Sequence, residues 1–102
     1  MLLSDMTKGQ LQREMDQVRD KGQAAYDAQN WIEYEVLMKR WYLAKSYLIH
    51  DSFQVQIGRT YALTEELDRL TVRELRGVMA WGIRESTAHE SAVPIAMLLE
   101  QA

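Results

Sequence analysis

A chain of 102 residues with 47% apolar and 26% charged side chains has the composition of one small globular domain, which excludes disordered and collagen-like readings. Twelve Lys and Arg against fifteen Asp and Glu leave a net charge of -3, so the positive surplus usual in phosphate-gripping proteins is missing. No cysteine is present, hence no disulfide framework, thiolate nucleophile or zinc–thiolate site.

The start of the chain has neither a basic n-region nor an apolar run after it, and no stretch approaches the roughly 18 apolar residues of a membrane span. A soluble cytoplasmic protein is expected. Thr7 with Gln10 three residues on reads as a capping box, and Met6 with Leu11 as its hydrophobic staple. From there Leu11, Met15, Val18, Gly22 and Ala25 recur at spacings of 4, 3, 4 and 3, which predicts a helix to about Gln29 with a single contact stripe.

Asn30 and Glu33 form a second cap pair and open a helix over Trp31 to Ile49. Thirteen of its 19 residues are apolar, too many for one face. Tyr34, Leu37, Trp41, Ala44 and Leu48 form one stripe, and Ile32, Val36, Leu43 and Tyr47 a second. Folding the helices back at Asn30 pairs Ala25 with Tyr34, Gly22 with Leu37, Val18 with Trp41 and Met15 with Ala44, small or medium against large. Close packing would offset the helix-propensity cost of Gly22, about 1 kcal/mol. The second stripe must meet the C-terminal half or a second chain. Trp31, Met38 and Tyr42, with Ile49, make a third group. Residues of these types at an unburied face point to a protein partner or a symmetric homodimer.

After His50 the period changes, with the boundary placed at Asp51 to Gly58; residues 1–50 read as a helical hairpin and 51–102 as a β unit packed with it. Thr60 to Leu63 is β-friendly, Thr64 to Asp68 a polar break, and Arg69 to Leu75 alternates with Leu70 and Val72 on one side. Arg76-Gly77 reads as a hairpin turn. Val78 to Arg84 alternates again, with Met79, Trp81 and Ile83 opposite Val78, Ala80 and Gly82. The small pair Ala80 and Gly82 predicts a close neighbour, and the Trp81 stripe is of the kind that fills a core. Glu85 to Ser91 reads as a loop, Val93-Pro94-Ile95 as an edge strand, and Ala96 to Glu100 as a last helical turn. Short strands and tight turns over about 40 residues predict a small antiparallel barrel.

Gly58-Arg59-Thr60-Tyr61, Leu70 to Leu75, Gly77-Val78-Met79-Ala80-Trp81-Gly82-Ile83-Arg84 and Val93-Pro94-Ile95 with Leu98 resemble the YfhH-like family of small bacterial proteins. The likeness extends into the second helix at Ala44-Lys45-Ser46-Tyr47-Leu48. It implies an α+β fold, an antiparallel helical hairpin on an SH3-like β-barrel, and carries no catalytic residues with it. Some members are described as transcription regulators. Met79 and Ile83 stand here where relatives are expected to have aromatic residues.

His50 and His89 lie 39 positions apart and fit no metal motif, no Gly-x-Ser-x-Gly elbow is present, and the five glycines never take a Walker or GxGxxG spacing. No metal, no cofactor and no enzymatic activity are expected. The second helix opens with Trp31-Ile32-Glu33-Tyr34-Glu35, unsuited to lie against phosphates as a recognition helix would. The C-terminal half holds five arginines, of which Arg69, Arg73 and Arg76 cluster around one strand; with Tyr61 and Trp81 they form a candidate nucleic-acid patch. Glu65, Glu66, Asp68 and Glu74 lie close enough in sequence to neutralise it. The preferred reading is a non-enzymatic protein-binding or adaptor module, with a nucleic-acid-binding regulator as the alternative.

Overall fold

A computed structural model describes residues 1–99. The chain divides into two units, Met1–Ile49 and a second that begins at His50.

In the first unit, α1 runs Lys8–Asp27 and α2 Trp31–Ile49. Thr7 accepts from the Gln10 amide at 3.2 Å while the Gln10 side chain accepts from the Thr7 amide at 2.9 Å, the reciprocal cap the sequence predicts. The predicted stripe of α1 is its buried set: Leu11, Met15, Val18, Gly22 and Ala25. Asn30 starts α2, its Oδ1 accepting from the Glu33 amide and its Nδ2 donating to the Glu33 carboxylate. Gln29 sits at φ 56 in the turn between them. The two helices pack along their length, and Arg40 donates to Glu14 at 2.6 Å across 26 positions of chain.

Met15 and Ala44 share one apolar cluster, in line with their expected pairing; Leu3, Met6, Trp41, Tyr47 and Leu48 pack against it. Leu3 belongs to a single 3-10 turn, Leu3–Asp5, that folds over α2. Tyr47, on the second stripe of α2, therefore packs inside its own unit, against the cluster of Leu11, Met15 and Ala44. Gly22 lies nearest Met38, whose Sδ would be 3.8 Å from an added Cβ. That is ordinary contact distance, so close approach does not demand a glycine there.

The second unit is a five-stranded antiparallel sheet: β1 Thr60–Leu63, β2 Arg69–Arg76, β3 Met79–Arg84, β4 Glu90–Pro94 and β5 Leu98–Leu99, in the order β4-β3-β2-β1-β5. The first four strands run as a meander. A 3-10 turn, Ile95–Met97, then carries the chain back so that Leu98 pairs with Leu63 and Leu99 with Ala62. The fold class is thus α+β, with pairing that forms an open series of five strands; closure into the expected barrel is a further step beyond this ladder.

Three local differences from the sequence reading have physical causes. The hairpin turn is Gly77–Val78, one residue later than expected, because Gly77 takes φ 57 at the first turn position and Arg76 still pairs with Met79. Val78 is buried in that turn and its carbonyl accepts from the Ile95 amide at 2.9 Å. The last helical turn expected over Ala96 to Glu100 is instead the 3-10 turn and β5, as far as residue 99; Glu100 lies outside the described residues. On β3 the buried side is Ala80 and Gly82, while Met79, Trp81 and Ile83 are half-buried. A Cβ on Gly82 would fall 2.0 Å from the Thr71 carbonyl oxygen, so only small residues fit that side and the larger ones point the other way. The close neighbour expected at Gly82 is the backbone of β2.

Candidate interaction surface

The hairpin places three of its six aromatic residues at the α1–α2 turn. Tyr26, Trp31 and Tyr34 pack edge to face with ring centroids 5.2 to 6.5 Å apart. Trp31 nevertheless keeps half its surface in water, at 51% exposure. One residue on, Ile32 is 80% exposed and Val36, a turn further along the same stripe, 63%. Branched aliphatic side chains standing this far into water on a helix are costly to leave uncovered, each on the order of 1.5 kcal/mol or more against full burial.

The three residues picked from sequence as one partner surface do not stay together. Trp31 is exposed. Met38 is half-buried and turned toward Gly22 of α1. Tyr42 is only 7% exposed, which removes it from any open surface of this chain. The third face of α2 reduces to Trp31 at the helix start, and the uncovered apolar surface is Ile32 and Val36 from the second stripe. Sequence periodicity alone groups these residues without saying which group is left bare.

The arginine cluster is largely neutralised. Arg69 Nε lies 3.8 Å from Glu85, and Arg76 Nε 3.1 Å from Glu74 while its guanidinium sits 4.9 Å from the centre of the Trp81 ring. Arg73 occupies the irregularity where pairing shifts between Val72 and Glu74, and among the described residues it makes no ion pair. Tyr61 is fully buried, its hydroxyl accepting from the Gln56 amide at 2.9 Å, so it offers no ring face to a base.

A polar cluster lies at the β1–β2 turn, where Glu66 and Asp68, two of the acidic residues expected to pair with arginines, both meet Arg84. Asp68 accepts from the Ser86 hydroxyl at 2.8 Å, the Ser86 amide at 3.1 Å, the Arg69 amide at 2.8 Å and Arg84 Nη1 at 3.2 Å. Arg84 also donates to Glu66 at 2.5 Å and to Ser91 at 3.0 Å. The Ser86 hydroxyl, foremost, holds the Asp68 carboxyl down at about 2, with the two backbone amides and Arg84 adding to it against the cost of desolvation. Glu66 and then Asp68 raise the Arg84 guanidinium further above its ordinary range, again against desolvation. These groups tie the β1–β2 turn to the β3–β4 loop. Ser86 lies 18 positions from Asp68, beyond any local motif, and no spacing rule would have found it.

His50 lies 3.7 Å from Asp51 on the surface, and the His89 amide donates to the Thr87 hydroxyl. Among the described residues no group of three or more His, Asp or Glu side chains is arranged to hold a metal. None of the described helices is long and apolar enough to cross a membrane.

Residues 1–99 match a family model described as "Protein of unknown function (DUF1811)". The chain is 33% identical over 99 residues to "Uncharacterized protein YfhH" of Bacillus subtilis (strain 168), a match that spans 96% of this chain and 94% of that one.

Proposed function

The chain belongs to the DUF1811 family, to which its YfhH-like sequence motifs point, and from that premise we propose that it acts as a non-enzymatic, cytoplasmic protein-binding module that engages its partner through the start of α2. The observation that carries this reading is the pair Ile32 and Val36, mostly in water on one helical stripe beside a half-exposed Trp31. The sheet serves as the scaffold in this reading. Its bend at Arg73 and the 3-10 turn that returns β5 to β1 suit the small SH3-like barrel read from the sequence.

The test is site-specific photo-cross-linking inside the cell from positions 32 and 36, with position 12 on the polar side of α1 as the control. Cross-links to protein at 32 and 36, lost when Trp31→Ala is added, are expected. Equal labelling from all three positions would overturn the reading.

The alternative, a nucleic-acid-binding regulator, has one observation in its favour: Arg73 stands exposed at an irregular point of β2 without an ion pair among the described residues. Against it stand the acidic partners of Arg69 and Arg76, the burial of Tyr61 and the net charge of -3. A fluorescence-anisotropy titration with mixed duplex DNA and single-stranded RNA at low and physiological salt separates the two. No binding at low salt is expected; salt-sensitive binding that Arg73→Glu abolishes would favour the regulator.

A further inference from the structure

The stripe of α2 that is bare at Ile32 and Val36 and half-buried at Leu43 has a charge pattern that matches itself. At 100° per residue, Ile32, Val36 and Leu43 fall within about 40° of one another, and Glu35 and Lys39 lie side by side along their border. Both charged residues are exposed, and among the described residues neither takes part in an ion pair. They stand two positions either side of Leu37, one acid and one base. A two-fold axis crossing the helix at the level of Leu37 would bring Glu35 of one copy opposite Lys39 of another, and the reverse pair with it. The same operation sets Ile32 level, within about 1.5 Å along the axis, with Leu43 of the second copy. The first fifty residues carry seven basic and seven acidic groups, so two such hairpins meet without net repulsion.

We propose that the occupant of this surface is a second copy of the chain, packed antiparallel along α2 with two symmetry-related Glu35–Lys39 ion pairs flanking Ile32 and Val36. This rests on the reading of the α2 start as a protein-binding surface and names its partner. The seam is short, so the dimer belongs with weak, concentration-dependent associations. An isologous contact must satisfy every residue twice, and the Glu35/Lys39 arrangement does so.

The experiment is sedimentation equilibrium of the full chain from low micromolar to about 1 mM. Wild type is expected to move from monomer to dimer over that range. Glu35→Lys alone sets lysine against lysine, and Lys39→Glu alone sets glutamate against glutamate; each is expected to weaken self-association at least about tenfold. The double variant Glu35→Lys/Lys39→Glu restores it, and the two single variants, mixed, form a heterodimer. Both substituted positions are on the surface, and circular dichroism checks that helix content is kept. A wild type that stays monomeric at 1 mM overturns the proposal, as does a dimer indifferent to the single reversals or not restored by the double one. Neither result touches the cross-linking test, in which a different protein captured at positions 32 and 36 would keep the broader reading while this one fails.

Discussion

The hairpin and the sheet each bury a glycine against a neighbour, and the two neighbours differ in kind. Gly22 on α1 meets the tip of Met38, a flexible thioether at contact distance. Gly82 on β3 meets the carbonyl of Thr71 on β2, part of a backbone paired with β1 on one side and β3 on the other. The helical unit is joined through side chains that can shift. The sheet unit is joined at this point through main chain that cannot, and its polar turn is clamped by Asp68, Ser86 and Arg84 as well. The teaching is that burial of a glycine says little by itself; what it is buried against decides whether the residue can change.

The sharpest way to break the comparison is to add one methyl at each site. Gly82→Ala must displace β2 or β3, and we expect a loss of about 3 kcal/mol or outright failure to fold, read by urea denaturation. A Gly82→Ala variant as stable as wild type would show that the strands give way as easily as the helices.

The next largest effect is expected at the clamp. A carboxyl held at about 2 in the fold, against an ordinary value of 3.8, stabilises the folded state fully above the ordinary value. That contribution drains away as pH falls from about 4 through about 2, because the unfolded chain takes up the proton first. Asp68→Asn should therefore lower the melting temperature at neutral pH, and the gap to wild type should narrow steadily across that acid window. Ser86→Ala removes the leading cause of the shift, so its acid loss of stability should begin at the same pH as in wild type, but be smaller and end at higher pH. A constant gap from neutrality down to pH 2 would mean that Asp68 acts by shape alone.

The smallest effect has the opposite sign. Gly22→Ala adds a methyl into ordinary contact with Met38 and removes the propensity cost of glycine, so a gain approaching 1 kcal/mol is expected, measured by the same denaturation. Destabilisation there would show that the helices approach more closely than side-chain contact distance implies.

The hairpin was legible because its determinants are local. Thr7 and Gln10, Asn30 and Glu33, and a stripe repeating every three or four residues all lie within a turn or two of each other. Four strands were legible for the same reason. The fifth was not: two residues, Leu98 and Leu99, cannot display an alternation, and their assignment depends on β1 lying 35 residues earlier. The same limit governs the candidate surface. Helical spacing groups Trp31, Met38 and Tyr42 on one side, but coverage depends on residues far from them in the chain, and it leaves Ile32 and Val36 bare instead. Likewise the acidic residues near Arg76 were visible in sequence, whereas the pairing of Arg69 with Glu85 and of Arg84 with Glu66 needed the sheet to be assembled.

The pairing of β5 with β1 also sets an order of events during synthesis. Helices α1 and α2 can pair as soon as Ile49 has left the ribosome, and helices form from near neighbours within microseconds. The sheet is different, because the strand beside β1 is made of residues 98 and 99. Until those emerge, one edge of β1 stays open, with its backbone donors and acceptors facing water and available to a stray strand. The nascent chain thus passes through a stage in which a finished helical pair precedes an unfinished sheet, and the interval lasts as long as it takes to translate some fifty codons, on the order of seconds at 5–20 residues per second.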